Sequence, residues 1–263
     1  MISLVFPTYN PGPAVERTWE SVRDFMAVQP DPWEVLFVCD GCTDGTFQRL
    51  EALRREADDP RLRVVSYRQN RGKGHALRVG LLAATGTVRV FTDVDLAYSY
   101  DDIARLADEL QCGAQLVVGS RDHPNSLVRV AVRHLEYIAR RRRQSRVFGW
   151  IVRRLLPLTI NDTQAGLKGM TAEVAGRVLP NLTCDGFGFD CELLTACARY
   201  DIPITEVPVC VRYGGAASST GGLRMIATML RDLWRIRQRW PKTGFPAPAA
   251  IVVVERVSQL QAA

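Results

Sequence analysis

The residue pair best suited to do chemistry is Asp93 and Asp95, which follow an apolar run ending at Phe91. Carboxylate oxygens are the ligands that Mg²⁺ and Mn²⁺ prefer, and a cation held there can bridge a diphosphate. Such a cation would offset the charge that builds on a departing nucleotide diphosphate. Acidic residues also end many strands simply because they favour contact with solvent. The spacing alone therefore leaves open both a metal site and a solvated strand end.

A second candidate is the turn that starts at Asp40, at the end of another apolar run. Gly41 and Gly45 permit a tight turn, and Thr43 or Asp44 can cap the helix that follows. A turn with a cap is the simpler interpretation. The functional one adds that Asp40 faces a crevice and binds a base or ribose.

The third candidate is the basic turn at Arg71 and Lys73, in which Lys73 lies between Gly72 and Gly74. Backbone N–H groups and the positive end of a helix dipole attract phosphate at such a helix start. The spacing is not that of a Walker A loop. A solvated basic turn is the alternative.

The elements that must position these residues alternate along the first part of the chain. Apolar runs separated by amphipathic helices predict an α/β fold with a mostly parallel sheet covered on both faces. Ligands bind such sheets at the carboxyl ends of the strands, where all three candidates lie. The predicted strands are 2–6, 33–39, 62–67, 88–92 and 115–119, and the predicted helices are 14–27, 46–57, 74–84 and 99–110.

The rest of the chain is more basic. We predict a helical, arginine-rich segment over 125–157, helices from Ala172 and over 190–200 and 223–240, and a strand over 204–211. The arginine-rich helices either pack on the core with a solvated charged face or dock on anionic lipid, at about 1 kcal/mol per arginine near the surface. Nucleic acid is disfavoured as a partner because no recognition motif is present.

The composition is that of a folded protein with a mild basic excess. Hydrophobic residues make up 47% of the 263 residues, and the net charge of +6 favours anionic partners. The seven scattered cysteines are expected to be reduced thiols, and the C-x-x-C at Cys39 and Cys42 lacks the second pair of a metal ribbon. No signal peptide or membrane-spanning run is expected. The histidines do not cluster, so no histidine metal site is predicted.

A series of motifs then appears in a characteristic order. It comprises Pro7-Thr-Tyr-Asn10, Asp40-Gly-Cys-Thr-Asp44-Gly-Thr46, Asn70-Arg-Gly-Lys-Gly-His-Ala-Leu-Arg78, Thr92-Asp-Val-Asp-Leu-Ala97, Gly119-Ser-Arg121, Asn161-Asp-Thr-Gln-Ala-Gly-Leu-Lys168, Phe187-Gly-Phe-Asp-Cys-Glu192-Leu193 and Glu206-Val-Pro-Val209. Over residues 1–212 this series resembles the inverting family 2 glycosyltransferases, which have a Rossmann-like GT-A fold. Within them it most resembles the dolichyl-phosphate or polyprenyl-phosphate β-glucosyltransferases and mannosyltransferases.

The resemblance implies a role for each matching residue. The nucleotide sugar would be held by Pro7, Tyr9, Asp40, Asp44, Arg71 and Lys73, and the diphosphate with its Mg²⁺ or Mn²⁺ by Asp93 and Asp95. The sugar and reaction site would be lined by Asp162, Gln164, Asp190 and Glu192. The acceptor phosphate would be bound by Arg121 with one or two of Arg142, Arg143 and Arg146. The residues expected to take part in catalysis are Asp95, Arg121, Arg146, Gln164 and Asp190.

The chemistry is consistent with a phosphate acceptor. A lipid phosphate is already an anion at neutral pH, so it can attack without a strong base, and arginine suits phosphate through its bidentate fork. A sugar hydroxyl would need a base, for which Asp190 is the candidate. The chain departs from the family at Pro11, where an acidic residue is usual, in residues 214–222, and in lacking the membrane helices of many relatives.

We therefore predict a GT-A domain over 1–212, a flexible loop and basic amphipathic helix over 213–240, and a Pro/Ala-rich tail over 241–263. The predicted reaction moves a hexose from UDP-glucose, or GDP-mannose, to a polyprenyl or dolichyl phosphate. It would take place at the cytoplasmic, inner face of a membrane that the protein contacts peripherally. The alternatives are a family 2 enzyme acting on a glycan hydroxyl and a non-enzymatic nucleotide-binding module. A dehydrogenase is disfavoured because no G-x-G-x-x-G follows the first strand.

Overall fold

The structure is a computed structural model that describes residues 1–130, 135–156, 158–160, 162–212 and 223–240. Side chains are described outside 135–144 and 223–227. The strands are β1 Ile2–Thr8, β2 Trp33–Asp40, β3 Leu62–Tyr67, β4 Val88–Phe91, β5 Leu116–Ser120, β6 Leu127–Arg129, β7 Lys168–Thr171, β8 Ile204–Pro208 and β9 Cys210–Arg212. The helices are α1 Ala14–Ala27, α2 Thr46–Ala57, α3 Lys73–Ala83, α4 Tyr100–Gln111, α5 Leu135–Leu155, α6 Ala172–Val178, α7 Phe189–Arg199 and α8 Leu223–Arg239.

A seven-stranded sheet with the order β3-β2-β1-β4-β7-β5-β8 forms the centre of the molecule. Strands β1 to β4 are parallel to one another, and β5 is parallel to β8. Only β7 is antiparallel in this sheet, where it pairs with both β4 and β5. The predicted α/β architecture with a mostly parallel sheet is confirmed.

Each face of the sheet is covered by its own apolar cluster, because successive strand residues point to opposite faces. Val5 and Leu36 face the cluster formed with α3, α6, α7 and α8. Leu4 and Phe37 face the cluster formed with α1 and α4. Strands buried on both sides are apolar at most positions, which explains the unbroken apolar run 35–39 in β2.

The prediction of a helix over 125–157 is wrong at its beginning. Leu127–Arg129 forms strand β6, which pairs in parallel with β9 in a separate two-stranded sheet. The apolar residues between 127 and 132 fitted a helical period, but the backbone of Leu127 bonds to the carbonyl of Val209, 2.9 Å away. Helix α5 begins at Leu135, and residues 131–134 lie outside the described part.

The predicted single strand over 204–211 is divided in two. Strand β8 pairs with β5 as far as Pro208, and β9 then pairs with β6 in the smaller sheet. Pro208 has no N–H to donate, so it suits the end of a strand at the point where the chain changes sheets.

The C-terminal helix is confirmed as α8. Its inner residues Leu233 and Ile236, followed by Trp240, are buried in the same apolar cluster as α7. The predicted loop residues 213–222 and the tail 241–263 lie outside the described residues. Among the helices that are described, none combines the length and the apolar character needed to cross a bilayer.

Candidate active site

The polar turns predicted from the sequence meet at one edge of the sheet. Strands β3, β2, β1 and β4 lie side by side and parallel, so their carboxyl ends share that edge. Tyr9 follows β1 and is 55% exposed, whereas Pro7 is half-buried within the strand. Asp40 ends β2, and the turns after β3 and β4 carry Arg71 and Asp93. The structure thus places these residues at the carboxyl edge of the sheet, and their predicted roles stay predictions.

Lys73 connects the basic turn to the acid pair. Its Nζ lies 2.5 Å from Oδ1 of Asp93. Desolvation alone would lower the pKa of this lysine, but the carboxylates of Asp93 and Asp190 outweigh it and the pKa is raised. Lys73 therefore keeps its charge at neutral pH, at the first residue of α3, where an anion is already favoured.

Asp95 is the exposed member of the acid pair, and its Oδ1 accepts a hydrogen bond from the N–H of Ala97 at 3.3 Å. Partial desolvation and the neighbouring Asp93 carboxylate raise its pKa. A carboxylate whose ionisation is opposed by a neighbouring carboxylate suits a divalent cation, which removes that repulsion. Within the described chain no cluster of three acidic, cysteine or histidine ligands forms. Mg²⁺ or Mn²⁺ would therefore take its other oxygens from substrate and water.

Gly166 allows Asp93 to lie where it does. A Cβ at Gly166 would be 2.5 Å from Oδ2 of Asp93. The N–H of Gly166 donates to the hydroxyl of buried Tyr98 at 2.9 Å. The sequence interpretation gave no role to this glycine, although it lies inside a quoted motif.

Asp40 is buried and holds the basic turn in shape. Its Oδ1 accepts from the N–H of Arg71 at 2.7 Å, and its Oδ2 accepts from the N–H of Gly72 at 2.8 Å. A Cβ at Gly41 would lie 2.3 Å from the backbone nitrogen of Asn70, so the two turns touch. The predicted contact of Asp40 with a base stays a prediction.

Asp44 ties the turn after β1 to the start of α2. Its Oδ2 accepts from the N–H of Gly12 at 2.7 Å, and its Oδ1 accepts from the N–H and hydroxyl of Thr46 at 3.1 and 2.6 Å. Although desolvation opposes it, these bonds lower the pKa of Asp44. The N-cap residue of α2 is Gly45 and carries no side-chain cap bond, so the predicted cap at Thr43 or Asp44 is wrong. Asp44 precedes the N-cap and joins the two turns through its bonds to Gly12 and Thr46.

Arg121 and Asp162 form a bidentate pair on the other side of β4. Nε and Nη2 of Arg121 lie 2.7 and 2.8 Å from the two carboxylate oxygens, and the N–H of Arg121 donates to Oδ2 at 2.9 Å. Burial would raise the pKa of Asp162, but Arg121 outweighs burial and lowers it. Asp162 therefore fixes the orientation of the arginine predicted to bind phosphate.

Lys168 is a residue whose role the sequence interpretation missed. Its side chain is fully buried, and its Nζ lies 2.6 Å from Oδ1 of Asp190 and 2.5 Å from the carbonyl oxygen of Ala165. A lysine among apolar strand residues needs a buried partner, and this was the available signal. Nearby, Nε2 of Gln164 donates to Sγ of Cys191 at 3.2 Å.

Other predicted residues lie apart from this network. Glu192 is wholly buried, and its described partners belong to residues 183–184 and 239–240. Arg146 is exposed on α5. The side chains of Arg142 and Arg143 lie outside the described part, so their predicted role has no structural account.

A mostly parallel α/β sheet, with Lys73 bonded to Asp93 and Asp95 nearby at its carboxyl edge, is the type of architecture in which α/β enzymes bind phosphorylated ligands. Residues 3–178 match the model of Glycosyl transferase family 2, and the chain belongs to that family. The predicted resemblance is confirmed.

Relatives with known names support a finer comparison. The dolichyl-phosphate beta-glucosyltransferase of Dictyostelium discoideum is 28% identical over 79% of this chain and 65% of its own length. The chain therefore spans just under two thirds of that relative. The bactoprenol glucosyl transferase of Shigella phage SfX is 36% identical over 46% of this chain and 39% of its own length.

A solved structure shows the same fold. Glucosyl-3-phosphoglycerate synthase from Mycobacterium tuberculosis, in complex with Mn²⁺ and UDP-glucose, is 26% identical with a TM-score of 0.58. The match covers 94% of this chain and 80% of that one. The GT-A type of architecture is thus confirmed.

Proposed function

We propose that this protein is an inverting glycosyltransferase that moves glucose from UDP-glucose to a polyprenyl phosphate such as dolichyl phosphate. The observation that carries the proposal is the convergence of Lys73, Asp93 and Asp95 at the sheet edge that also carries the Arg121–Asp162 pair. Cations for two phosphorylated reactants are thus provided on both sides of β4. The named glucosyltransferase relatives support glucose and a polyprenyl phosphate acceptor.

On the donor side, Asp93 and Asp95 would hold Mg²⁺ or Mn²⁺, which supplies charge compensation for the leaving diphosphate. Lys73 adds a fixed positive charge, and Asp40 keeps the N–H groups of the basic turn in place. Exposed Tyr9 offers a ring on which a base can stack. We assign binding of the nucleotide to five residues at or after the carboxyl ends of β1 to β3, namely Pro7, Tyr9, Asp40, Asp44 and Arg71.

On the acceptor side, Arg121 would bind the lipid phosphate, with Arg146 or a neighbouring arginine of α5 assisting. A phosphate oxygen forms its bond to the anomeric carbon from one side while the bond to the UDP oxygen breaks on the other, so the configuration inverts. The acceptor is already anionic, and no proton has to be removed. Asp190, paired with Lys168, and Gln164 then orient the sugar.

The lipid acceptor lies in a membrane, which the protein would contact through an exposed surface of α5 and α8. These two helices contact each other. Trp150 and Trp234 are 57% and 62% exposed there. We define the α5–α8 surface by the exposed residues Val147, Trp150, Arg154, Leu230, Arg231, Trp234 and Arg235. Indole rings beside arginines suit the interface of an anionic membrane, so we propose peripheral contact at its inner, cytoplasmic face.

The test is transfer of labelled glucose from UDP-glucose to polyprenyl phosphate, with Mn²⁺, followed by solvent extraction. We expect label in the organic phase and at least a hundredfold loss in Asp93→Asn, the range found when a key charge-stabilising group is removed. Asp58→Asn is the matched control, because Asp58 is exposed at the end of α2 with a positive φ that asparagine tolerates.

A hydroxyl acceptor is the second candidate, because solved relatives of this fold carry phosphoglyceric acid or glucosyl-3-phosphoglycerate with UDP and Mn²⁺. In that reaction Asp190 would serve as the base. Label that stays in the aqueous phase, with 3-phosphoglycerate or a glycan present, would favour this candidate. Binding of UDP without any transfer would favour a non-enzymatic module instead.

A further inference from the structure

Glu192 connects α8 to the rest of the molecule. It lies in α7, and its side chain is wholly buried. The indole N–H of Trp240, which follows α8, donates to Oε1 at 3.4 Å, and the guanidinium of Arg239 lies 3.8 Å from the same oxygen. A buried carboxylate in this position is retained at a desolvation cost, so its other contacts are informative.

Those other contacts all go to one turn, residues 183–186. Oε2 of Glu192 accepts from the backbone N–H groups of Thr183 and Cys184 at 2.8 and 2.7 Å. The hydroxyl of Thr183 donates to Oε1 at 3.0 Å. Three hydrogen-bond donors thus converge on the carboxyl group of Glu192, and hydrogen bonds to carboxylates are about twice as strong as neutral ones.

The 183–186 turn lies in direct contact with the basic turn. The carbonyl oxygen of Asp185 accepts from the N–H of His75 at 3.1 Å. A Cβ at Gly72 would lie 2.5 Å from that carbonyl oxygen, and one at Gly74 would lie 2.6 Å from the carbonyl oxygen of Cys184. The two turns therefore have no space in which to shift independently.

Side chains reinforce the same contact. Nη2 of Arg78 lies 2.6 Å from Oδ1 of Asp185, and Arg71 lies 3.8 Å from Oδ2. The position of the 183–186 turn thus affects both the backbone and the arginine of the basic turn.

We propose that Glu192 is a positioning residue of the donor site, which holds the 183–186 turn against Gly72–Gly74 and so fixes the N–H groups and Lys73 for the diphosphate. Helix α8 lies beyond residues 3–178, the part matched by the family model, yet its last residue Arg239 and the following Trp240 complete this support. The inference rests on the proposed donor site and adds a residue and an element to it. It also replaces the expectation that Glu192 contacts the sugar.

The test compares UDP binding, measured by calorimetry with MnCl₂, in the full chain and in Glu192→Gln and Thr183→Val. Glu192→Gln keeps the shape but loses the charge, and we expect the dissociation constant of UDP to rise about tenfold. Thr183→Val removes one hydroxyl from an exposed residue, so the fold should persist, and we expect a rise of about threefold. In the transfer assay, KM for UDP-glucose should change more than kcat.

Thr87→Val is the matched control. Thr87 is also an exposed threonine whose hydroxyl bonds a carbonyl, that of Met1, but it lies at the opposite end of β4. Its UDP binding should equal that of the wild type. Thermal unfolding of each variant identifies a temperature at which all are folded, and binding is measured there.

Two results overturn the inference. If both variants bind UDP as tightly as the wild type while only their melting temperatures fall, Glu192 has a structural role alone. If the wild type itself does not bind UDP, the proposed donor site fails and this inference fails with it. The first result leaves the proposed function standing, so the two failures are distinguishable.

Discussion

At the residue scale, the candidate site contains opposite charges that compensate one another in pairs. Lys73 binds Asp93, Lys168 binds Asp190 and Arg121 binds Asp162. Asp95, the neighbour of Asp93, forms no such ion pair among the described residues, and its pKa is raised by desolvation and by Asp93. The direction of this pKa shift makes a pH-dependent prediction.

Donor binding that depends on metal should weaken on acidification. A raised pKa means that Asp95 gains its proton at a higher pH than an ordinary aspartate does, and a neutral carboxyl group is a poor ligand for Mn²⁺. We expect Mn²⁺-dependent UDP affinity to decline on the acid side in the wild type, measured by calorimetry from neutral pH down to about 4, the ordinary range of an aspartate. In Asp95→Asn the metal-dependent part should be weak at every pH. A wild-type affinity that stays constant over this range would contradict the assignment.

Removal of the buried Lys168 should lower the free energy of unfolding, because it leaves a buried carboxylate without its ion-pair partner. Lys168→Met leaves Asp190 buried without its partner, and breaking such a pair costs about 3–5 kcal/mol. The double variant Lys168→Met with Asp190→Asn should recover much of that loss in denaturant unfolding, because no charge is left unpaired. Equal destabilisation of single and double variants would show that packing rather than charge dominates.

The sequence predicted Asp40, Asp93 and Asp95 because they follow apolar runs that must be strands, whereas Asp162, Asp190 and Glu192 were implied only by the family resemblance. It did not predict the partners of Asp162, Asp190 and Glu192, since those contacts join residues on different elements. Gly166 was missed for the same reason, as only the fold brings it against Asp93.

At the element scale, β1 to β4 and α1 to α4 lie within one or two residues of their predicted bounds, because burial on two faces leaves a strong local pattern. Strand β6 was missed because its partner β9 lies far along the chain and no local period reveals a parallel pairing. The antiparallel direction of β7 was likewise invisible from its four residues.

The contact between the basic turn and the 183–186 turn can be tested with glycine substitutions. Gly72→Ala places a Cβ 2.5 Å from a carbonyl oxygen, at φ +104°. Gly113→Ala is the matched control, with φ +108° and nothing within 4 Å. Both variants should lose about 1 kcal/mol to backbone strain. Only Gly72→Ala should also weaken UDP binding, and equal binding by both would contradict a tight contact.

At the scale of the whole molecule, the donor side and the α5–α8 surface belong to one body, since α8 is buried against α7 on its inner face. Exposed Arg231 and Arg235 are therefore presented together with the indole of Trp234 on a firmly held helix. Such a surface should bind a membrane through two contributions, the attraction of its arginines to anionic lipid and the insertion of its indoles at the lipid–water interface.

Binding to vesicles should depend on both anionic lipid and Trp234. We expect flotation with vesicles containing phosphatidylserine or phosphatidylglycerol, little with phosphatidylcholine alone, and loss of binding at high salt. Trp234→Ala should weaken flotation several-fold, since an interfacial indole is removed. Leu82→Ala is the control, because Leu82 is also exposed but lies on α3. Equal flotation of the two variants would exclude α8 from the contact.

The direction of β7 has a consequence for how this enzyme could change its acceptor. Lys168 begins β7 and lies opposite Phe91, the last residue of β4, so the segment that precedes β7 arrives at the reacting edge. Every parallel strand instead sends the segment that follows it there. Substitutions over 162–165 should therefore alter the proposed acceptor side, while the turns after β1 to β4, which carry the proposed donor residues, keep their sequence. Under the proposed assignment, one reversed strand lets the acceptor pocket vary without changing the donor turns.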